Sequence, residues 1–329
     1  MIKRIKYINL LVSSFALLVL FALPTSATEP SHQPEDFFSL KALQEAPKKA
    51  LMPIETMTAT DGVELAFRAY LPQEPSAIVI FYHGAGAHSG LSYQHIGVGL
   101  RDRFSIGVYM PDIRGHGFSQ GERGDTPSKE QVWSDINTMV NQIKTRYPKV
   151  PIFVGGHSAG AGLALNYSSW EHKLAVEGYV FLAPYWGYRS KTSHDHDERY
   201  QFSTVKVSRF ILHAISGGWL FSHSKAVYFH YPAHVLEQHP EIVTFNTVAM
   251  SNAVTPYAPG EQLSGLKRVG LWIGRQDEAF DAKKVIEFSK RHYNVSVQEE
   301  TVMIEGENHF SILLEASEKI GPWILKSIH

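Results

Sequence analysis

Ser158 stands at the centre of Gly156-His157-Ser158-Ala159-Gly160, the G-x-S-x-G pattern that puts a serine on a sharp turn between a strand and a helix. A hydroxyl on such a turn becomes a nucleophile when a neighbouring base takes its proton. The base in turn needs a carboxylate to hold its tautomer and to stabilise its charged form. One order of these parts along a chain is serine, acid, histidine, with the last two on loops at the carboxyl ends of later strands. Asp277 and His309 satisfy that order and placement. Asp281 is the rival acid, although its position suits the N-cap of a helix. Among the other histidines, His292 falls in a helix tail, His329 is terminal, and those between 194 and 239 precede the acid.

The elements that would position these groups follow from the apolar pattern. Ile152-Phe153-Val154, opened by Pro151 and closed by Gly155 and Gly156, reads as a buried parallel strand, and the small and apolar residues from Ala159 to Leu165 as the helix after it. Ala77 to Tyr82 is a second continuous apolar run, ending at the glycine-rich loop His83-Gly84-Ala85-Gly86; Ser105 to Met110 is a third, running into Pro111 to Ser119. Ser128 and Gln131 form a capping box ahead of Val132, Ile136, Met139, Val140 and Ile143 at helical spacing. Further strands are expected at Tyr179–Ala183, Val269–Ile273 and Val295–Ile304, with helices from Asp281 to His292 and at the C-terminus. Asp61-Gly62 marks a two-residue hairpin near the start. Strands alternating with helices predict an α/β fold with a mostly parallel central sheet and helices on both faces.

Composition narrows the chemistry. The 329 residues carry a formal net charge of -1 and no cysteine. That balance offers no basic field for nucleic acid, and it removes disulfides, thiolate nucleophiles and cysteine metal sites. The work therefore falls to Ser, His and carboxylates, with no cofactor. Lys3, Arg4 and Lys6, the apolar stretch from Ile8 to Leu23 and the small residues to Ala27 read as a cleaved export signal over residues 1–27, the alternative being an N-terminal membrane anchor. Residues 28–52 read as an arm without chemistry of its own, and 53–329 as one domain with an inserted helical cap at about 185–266. Tyr185, Trp186 and Trp219, among the aromatic residues of that insertion, are the expected wall of a substrate pocket, and the cap the expected point of transient contact with a membrane surface. His194-Asp195-His196-Asp197-Glu198 reads as a solvated loop, with no metal.

His83-Gly84-Ala85-Gly86-Ala87-His88-Ser89-Gly90, Asp112-x-Arg114-Gly115-His116-Gly117-x-Ser119 and the serine pentapeptide together resemble the monoacylglycerol lipase and lysophospholipase group of α/β-hydrolases. The resemblance covers Ala77 to Pro184 and returns from Val269 to Phe310; the arm and the cap lie outside it. It implies Ser158 as nucleophile, Asp277 and His309 as its partners, and the backbone N–H groups of Ala85 and Ala159 as an oxyanion hole. His83, Arg114 and His116 read as scaffold. Where the family often has Met then Gly-Gly after the serine, this chain has Ala159-Gly160-Ala161. The implied activity is an exported serine hydrolase acting on a small lipid or ester substrate, a monoacylglycerol or lysophospholipid, through an acyl-enzyme. The rivals are a serine aminopeptidase, a small-ester carboxylesterase and a non-catalytic binding protein on the same fold.

Overall fold

A computed structural model describes residues 38–194 and 202–328. The leader over 1–27 and the residues from Asp195 to Glu198 lie outside the described residues, as do the first ten of the arm. Eleven strands are described: β1 Glu55–Thr58, β2 Glu64–Tyr70, β3 Ala77–Tyr82, β4 Ile106–Pro111, β5 Ile152–His157, β6 Gly178–Leu182, β7 Ser203–Val205, β8 Lys225–Phe229, β9 Phe245–Thr247, β10 Arg268–Gly274 and β11 Gln298–Ile304. Eight form one sheet in the order β1-β2-β4-β3-β5-β6-β10-β11, in which β1, β2 and β4 pair antiparallel and every later pair is parallel.

The strands that carry chemistry occupy the middle of that sheet for a physical reason. Every residue of β3, β4, β5 and β6 is buried, so both faces of these strands are covered, and only near-continuous apolar or glycine runs tolerate that. The helices α1 Lys41–Glu45, α2 Gln94–Phe104, α3 Lys129–Arg146, α4 Ala159–Ser169, α5 Val207–Ile215, α6 Ala233–Gln238, α7 Val248–Val254, α8 Pro259–Ser264, α9 Ala282–His292 and α10 Ile312–Ser327 connect them. Ser128 caps α3 by accepting from Gln131 N–H at 3.1 Å. The reciprocal half of the capping box is absent, because the Gln131 amide reaches Thr60 and Asp135 instead.

Four local expectations are corrected. The β1–β2 connection is a three-residue loop, because Ala59 N–H still pairs with Val63 C=O at 2.8 Å and Gly62 takes the left-handed conformation, φ +84°. The last strand begins at Gln298 rather than Val295, since Asn294 folds the chain into a turn, accepting from Ser296 N–H at 3.1 Å. The cap is not simply helical: β7, β8 and β9 form an antiparallel sheet inside it. Nor does the cap extend to 266, as Met250, Ala253, Val254, Leu263 and Leu266 belong to the main core, and α7 and α8 pack on α4.

Candidate active site

Ser158 follows directly on β5 and precedes α4, with φ +55° and ψ -118°. A non-glycine residue in that region is strained, and the strain is held by its surroundings: Ser158 N–H donates to Leu182 C=O on β6 at 3.0 Å, and Tyr185 N–H donates to Ser158 C=O at 3.1 Å. The flanking glycines are required by close backbone approach. A Cβ on Gly156 would lie 2.5 Å from the Gly160 carbonyl carbon, and one on Gly160 would lie 2.4 Å from Tyr82 O. Turn and neighbouring strand therefore pack backbone to backbone.

Asp277 follows β10 and His309 follows β11. The structure brings them together: His309 Nδ1 donates to Asp277 Oδ2 at 2.8 Å, with both residues buried. The other Asp277 oxygen accepts from the backbone N–H groups of Ala279 and Phe280 at 2.9 and 2.8 Å. An acceptor-only carboxylate at Nδ1 places the ring proton there and leaves Nε2 as the nitrogen able to take another. Asp281 is the cap of α9, accepting from Lys284 N–H at 3.1 Å. His309 also sits beside the residue before the serine, its ring centroid 4.6 Å from that of His157.

That neighbour belongs to a buried chain of hydrogen bonds. Gly84 N–H donates to the Tyr93 hydroxyl at 2.8 Å, the hydroxyl donates to His157 Nδ1 at 3.0 Å, and His157 Nε2–H donates to the His309 carbonyl at 2.9 Å. Burial, with the His309 ring beside it, pushes the His157 pKa well below its ordinary value, so this histidine is neutral. The chain links the glycine-rich loop after β3 to the histidine loop after β11. Neither His157 nor Tyr93 was given a role by sequence reasoning. The signal for His157 lay in view, as the variable residue before the serine, but only the fold brings Tyr93 to it.

Ala85 and Ala159, the expected oxyanion donors, lie on that glycine-rich loop and at the first position of α4. Among the described residues neither backbone N–H donates a hydrogen bond, so both remain available to an anionic oxygen. The loop is held from beneath by His83, whose Nδ1–H donates to Gly84 C=O at 2.8 Å while Nε2 accepts from Ile113 N–H at 3.0 Å. The cap holds it from the other side: Tyr231 donates to Ala85 O at 2.5 Å, and Val243 N–H to Gly86 O at 2.8 Å. Arg114 bonds the carboxylates of Asp61 and Asp135 and is buried, and Asp112 accepts from Ser89 and Phe118 N–H, so the second motif is scaffold.

The expected pocket wall divides three ways. Tyr185 stacks on Phe280 at 5.8 Å, and Phe280 meets His309 edge-on at 5.4 Å, so Tyr185 stands one ring from the site. Trp186 does not line it. Its indole is fully buried, donates to Ser289 Oγ at 2.9 Å and packs edge-on against Phe181, holding α9 to β6. Trp219 is 90% exposed on the cap. His194, read as part of a solvated loop, reaches the Asp277 carbonyl with Nε2 at 2.8 Å, and Asp281 N–H donates to Thr192 C=O. The arm, expected to be inert, lays Phe38 on His309, the rings stacked at 5.2 Å.

For metals, His88, His239 and Glu241 bring three potential ligand atoms within 4.8 Å of one another. His88 Nδ1 accepts from Gly90 N–H at 3.2 Å; burial lowers its pKa, and the carboxylates of Asp112 and Glu241 and the guanidinium of Arg68 act on its ring in opposite senses. Among the described residues no helix is long and apolar enough to cross a membrane.

Comparison with known proteins agrees with this architecture. The profile of the family described as serine aminopeptidase, S33, matches residues 73–246, more than half of the chain. Over 132 residues the chain is 38% identical to an uncharacterized abhydrolase domain-containing protein of Dictyostelium discoideum, covering 40% of this chain and 14% of that one. Over 125 residues it is 32% identical to the monoglyceride lipase of Rattus norvegicus, covering 38% and 40%. The matched part thus spans less than half the length of either relative. Among solved structures, a soluble variant of monoglyceride lipase from Saccharomyces cerevisiae, in complex with a substrate analog, superposes with a TM-score of 0.63 at 18% identity over 85% of this chain and 97% of that one, a likeness of fold. By family profile and sheet topology together, the chain belongs to the serine aminopeptidase S33 family of α/β-hydrolases.

Proposed function

We propose that this protein is a serine hydrolase that cleaves the carboxylic ester of a single-chain lipid, a monoacylglycerol or lysophospholipid. The observation that carries the proposal is the buried Asp277–His309 pair at 2.8 Å, on loops that leave the same end of the sheet as the strained Ser158. His309 Nε2 takes the Ser158 proton as the hydroxyl attacks the ester carbonyl, and Asp277 stabilises the resulting imidazolium. The N–H groups of Ala85 and Ala159 receive the oxyanion. The alcohol leaves with the proton from His309, and water, activated by the same base, then releases the fatty acid. Relatives bearing the monoglyceride lipase name support the lipid ester over other acyl groups.

The cap supports a transient lipid-surface contact in the same reading. Val207, Ile211 and Ile215 on α5 are exposed together with Val205, Trp219 and Leu220, and Lys206 and Arg209 accompany them. An apolar helix face flanked by basic groups is suited to the interface of an anionic bilayer. Export by cleavage after Ala27 completes the proposal; a mature N-terminus at Thr28 would support it, and recovery of the uncleaved chain in the membrane fraction would favour an anchor.

One release assay under uniform conditions tests the activity, using monoacylglycerols, lysophospholipids, short aryl esters and aminoacyl amides, with fluorophosphonate labelling at Ser158. Fastest release from the lipid esters, abolished in Ser158→Ala, is the expected result. The family description keeps a serine aminopeptidase as the second reading, and faster release from aminoacyl amides would establish it. Folded protein that neither labels nor turns over would mark a binding protein.

A further inference from the structure

We infer that the N-terminal arm builds one wall of the acyl-binding groove, with Phe38 as a specificity-determining residue; the inference rests on the ester-hydrolase reading above. The arm lies outside the matched family region, and nothing in its composition announced a role. It is nevertheless fixed to the loops that hold the catalytic pair. Ser39 N–H donates to Glu278 Oε1 at 3.0 Å, and Ser39 C=O accepts from Asn308 Nδ2 at 2.9 Å. The other oxygen of Glu278 accepts from His309 N–H at 3.0 Å, so one carboxylate ties arm and histidine loop together. Glu278 and Asn308 each directly neighbour a member of the pair.

This clamp sets Phe38 among aromatic rings. It stacks on His309 at 5.2 Å with an interplanar angle of 19°, meets Phe310 edge-on at 4.7 Å and meets Phe202 of the cap edge-on at 5.0 Å. From there the arm does not close onto the body. It leaves a groove of about 140 Å³, bordered by Phe38, Leu40 and Leu43 on the arm, Tyr231 and Val235 on the cap, and Phe310. α1 buries none of its residues, and Leu40 and Leu43 stay half-exposed where they border this groove.

The occupant follows from what adjoins the groove. Phe38 and Phe310 touch the ring of His309, and Tyr231 bonds the Ala85 carbonyl on the oxyanion loop. The groove thus lies one residue away from the reacting centre on two sides, and its apolar border suits an unbranched acyl chain, whose burial removes apolar surface from water, while Gln44, Ser92, His230, His234, Gln238 and His239 line the rest. Removing the Phe38 ring widens the groove and takes away contact along that chain.

The test uses the mature protein, its Phe38→Ala and Phe38→Leu variants, and two readouts. The first is kcat/KM for soluble aryl esters from acetyl to decanoyl, below their micelle concentrations. The expected result is a decanoyl-to-acetyl ratio about tenfold lower in Phe38→Ala, carried by KM, and largely restored in Phe38→Leu. The second is calorimetric binding of decanoate, expected to weaken about tenfold in Phe38→Ala. An unchanged ratio with unchanged decanoate affinity overturns the inference. So does an equal fall at every chain length, which would make Phe38 a support for His309, or an equal rise, which would make the arm a plug. Decanoate binding that depends on Phe38 in a protein inert towards every ester would instead overturn the hydrolase reading while leaving the acyl groove in place.

Discussion

The Tyr93 hydroxyl donates to His157 Nδ1 at 3.0 Å while accepting from Gly84 N–H at 2.8 Å, so one buried oxygen couples the glycine-rich loop after β3 to the strand end that carries Ser158. Burial pushes the Tyr93 pKa upward, and the hydroxyl stays protonated as this arrangement requires. Tyr93→Phe leaves the Gly84 N–H and His157 Nδ1 without partners. A buried unsatisfied group costs about 1–3 kcal/mol. The expected outcome is lower stability together with a fall in kcat of about tenfold or more, towards the hundredfold that a displacement near 1 Å costs. KM should move little. Steady-state kinetics beside thermal melts check this, and a lower melting temperature with unchanged kcat would make the chain purely structural.

The two acids near the start of α9 make separable predictions. Asp277→Asn keeps the shape but cannot impose the His309 tautomer, so turnover should drop by about 10⁴ with the fold intact. Asp281→Asn retains a side-chain acceptor for Lys284 N–H, and Asp281→Ala removes it at a cost of about 1 kcal/mol. Neither change at 281 should alter kcat by more than about twofold. Comparable losses at both positions would show that the loop, not the Asp277 charge, is what the enzyme needs.

Gly160→Ala tests the tight turn. Its new Cβ would fall 2.4 Å from Tyr82 O and 2.6 Å from His83 O, both backbone atoms that a side-chain rotation cannot move aside. The expected result is a loss of about 3 kcal/mol or more, with displacement of the glycine-rich loop that follows Tyr82. Chemical denaturation measures it. Near-normal stability would mean that β3 and the turn are not packed backbone to backbone.

How much of this could be read from residue order depends on the range of the forces involved. β3 and the sheet strand at β5 declare themselves because burial on both faces demands continuous apolar or glycine runs. The cap strands β7 and β9 are three residues each and partly exposed, too short to carry a period. Trp186 was drawn to the pocket by its type, yet its partner Ser289 lies 103 residues away, and only packing decides that the indole joins a helix to the sheet. Phe38 is the converse case. Its significance arises from a clamp through Glu278 and Asn308, more than 200 residues distant, and no local pattern encodes such a contact.

The last prediction concerns acid stability and comes from histidines outside the reacting pair. Burial pushes the pKa of His83 down to about 3 and that of His116 down to about 3, the latter helped by the His83 ring beside it. Lost hydration is the main reason, and at His83 a hydrogen bond adds to it, since Nε2 accepts from Ile113 N–H and a proton there would face another donor; at His116 the bond from Nδ1–H to the Arg114 carbonyl at 3.0 Å acts the other way and is outweighed. In the unfolded chain both titrate near the usual 6.5, so between about pH 6.5 and 3 the unfolded state binds more protons than the folded one. Stability is therefore fully present above pH 6.5 and is lost as pH falls, each histidine contributing a slope of up to about 1.4 kcal/mol per pH unit and roughly 2 kcal/mol by pH 5. Urea unfolding between pH 7.5 and 5 measures the slope. His116→Asn offers an amide N–H to the Arg114 carbonyl but cannot titrate; whatever it costs at pH 7.5, it should lower the slope by up to about 1.4 kcal/mol per pH unit, leaving the share of His83 and of the likewise neutral His157. A stability that stays level from pH 7 to 5, or an undiminished slope in His116→Asn, would show that these rings are not the groups that the fold keeps neutral.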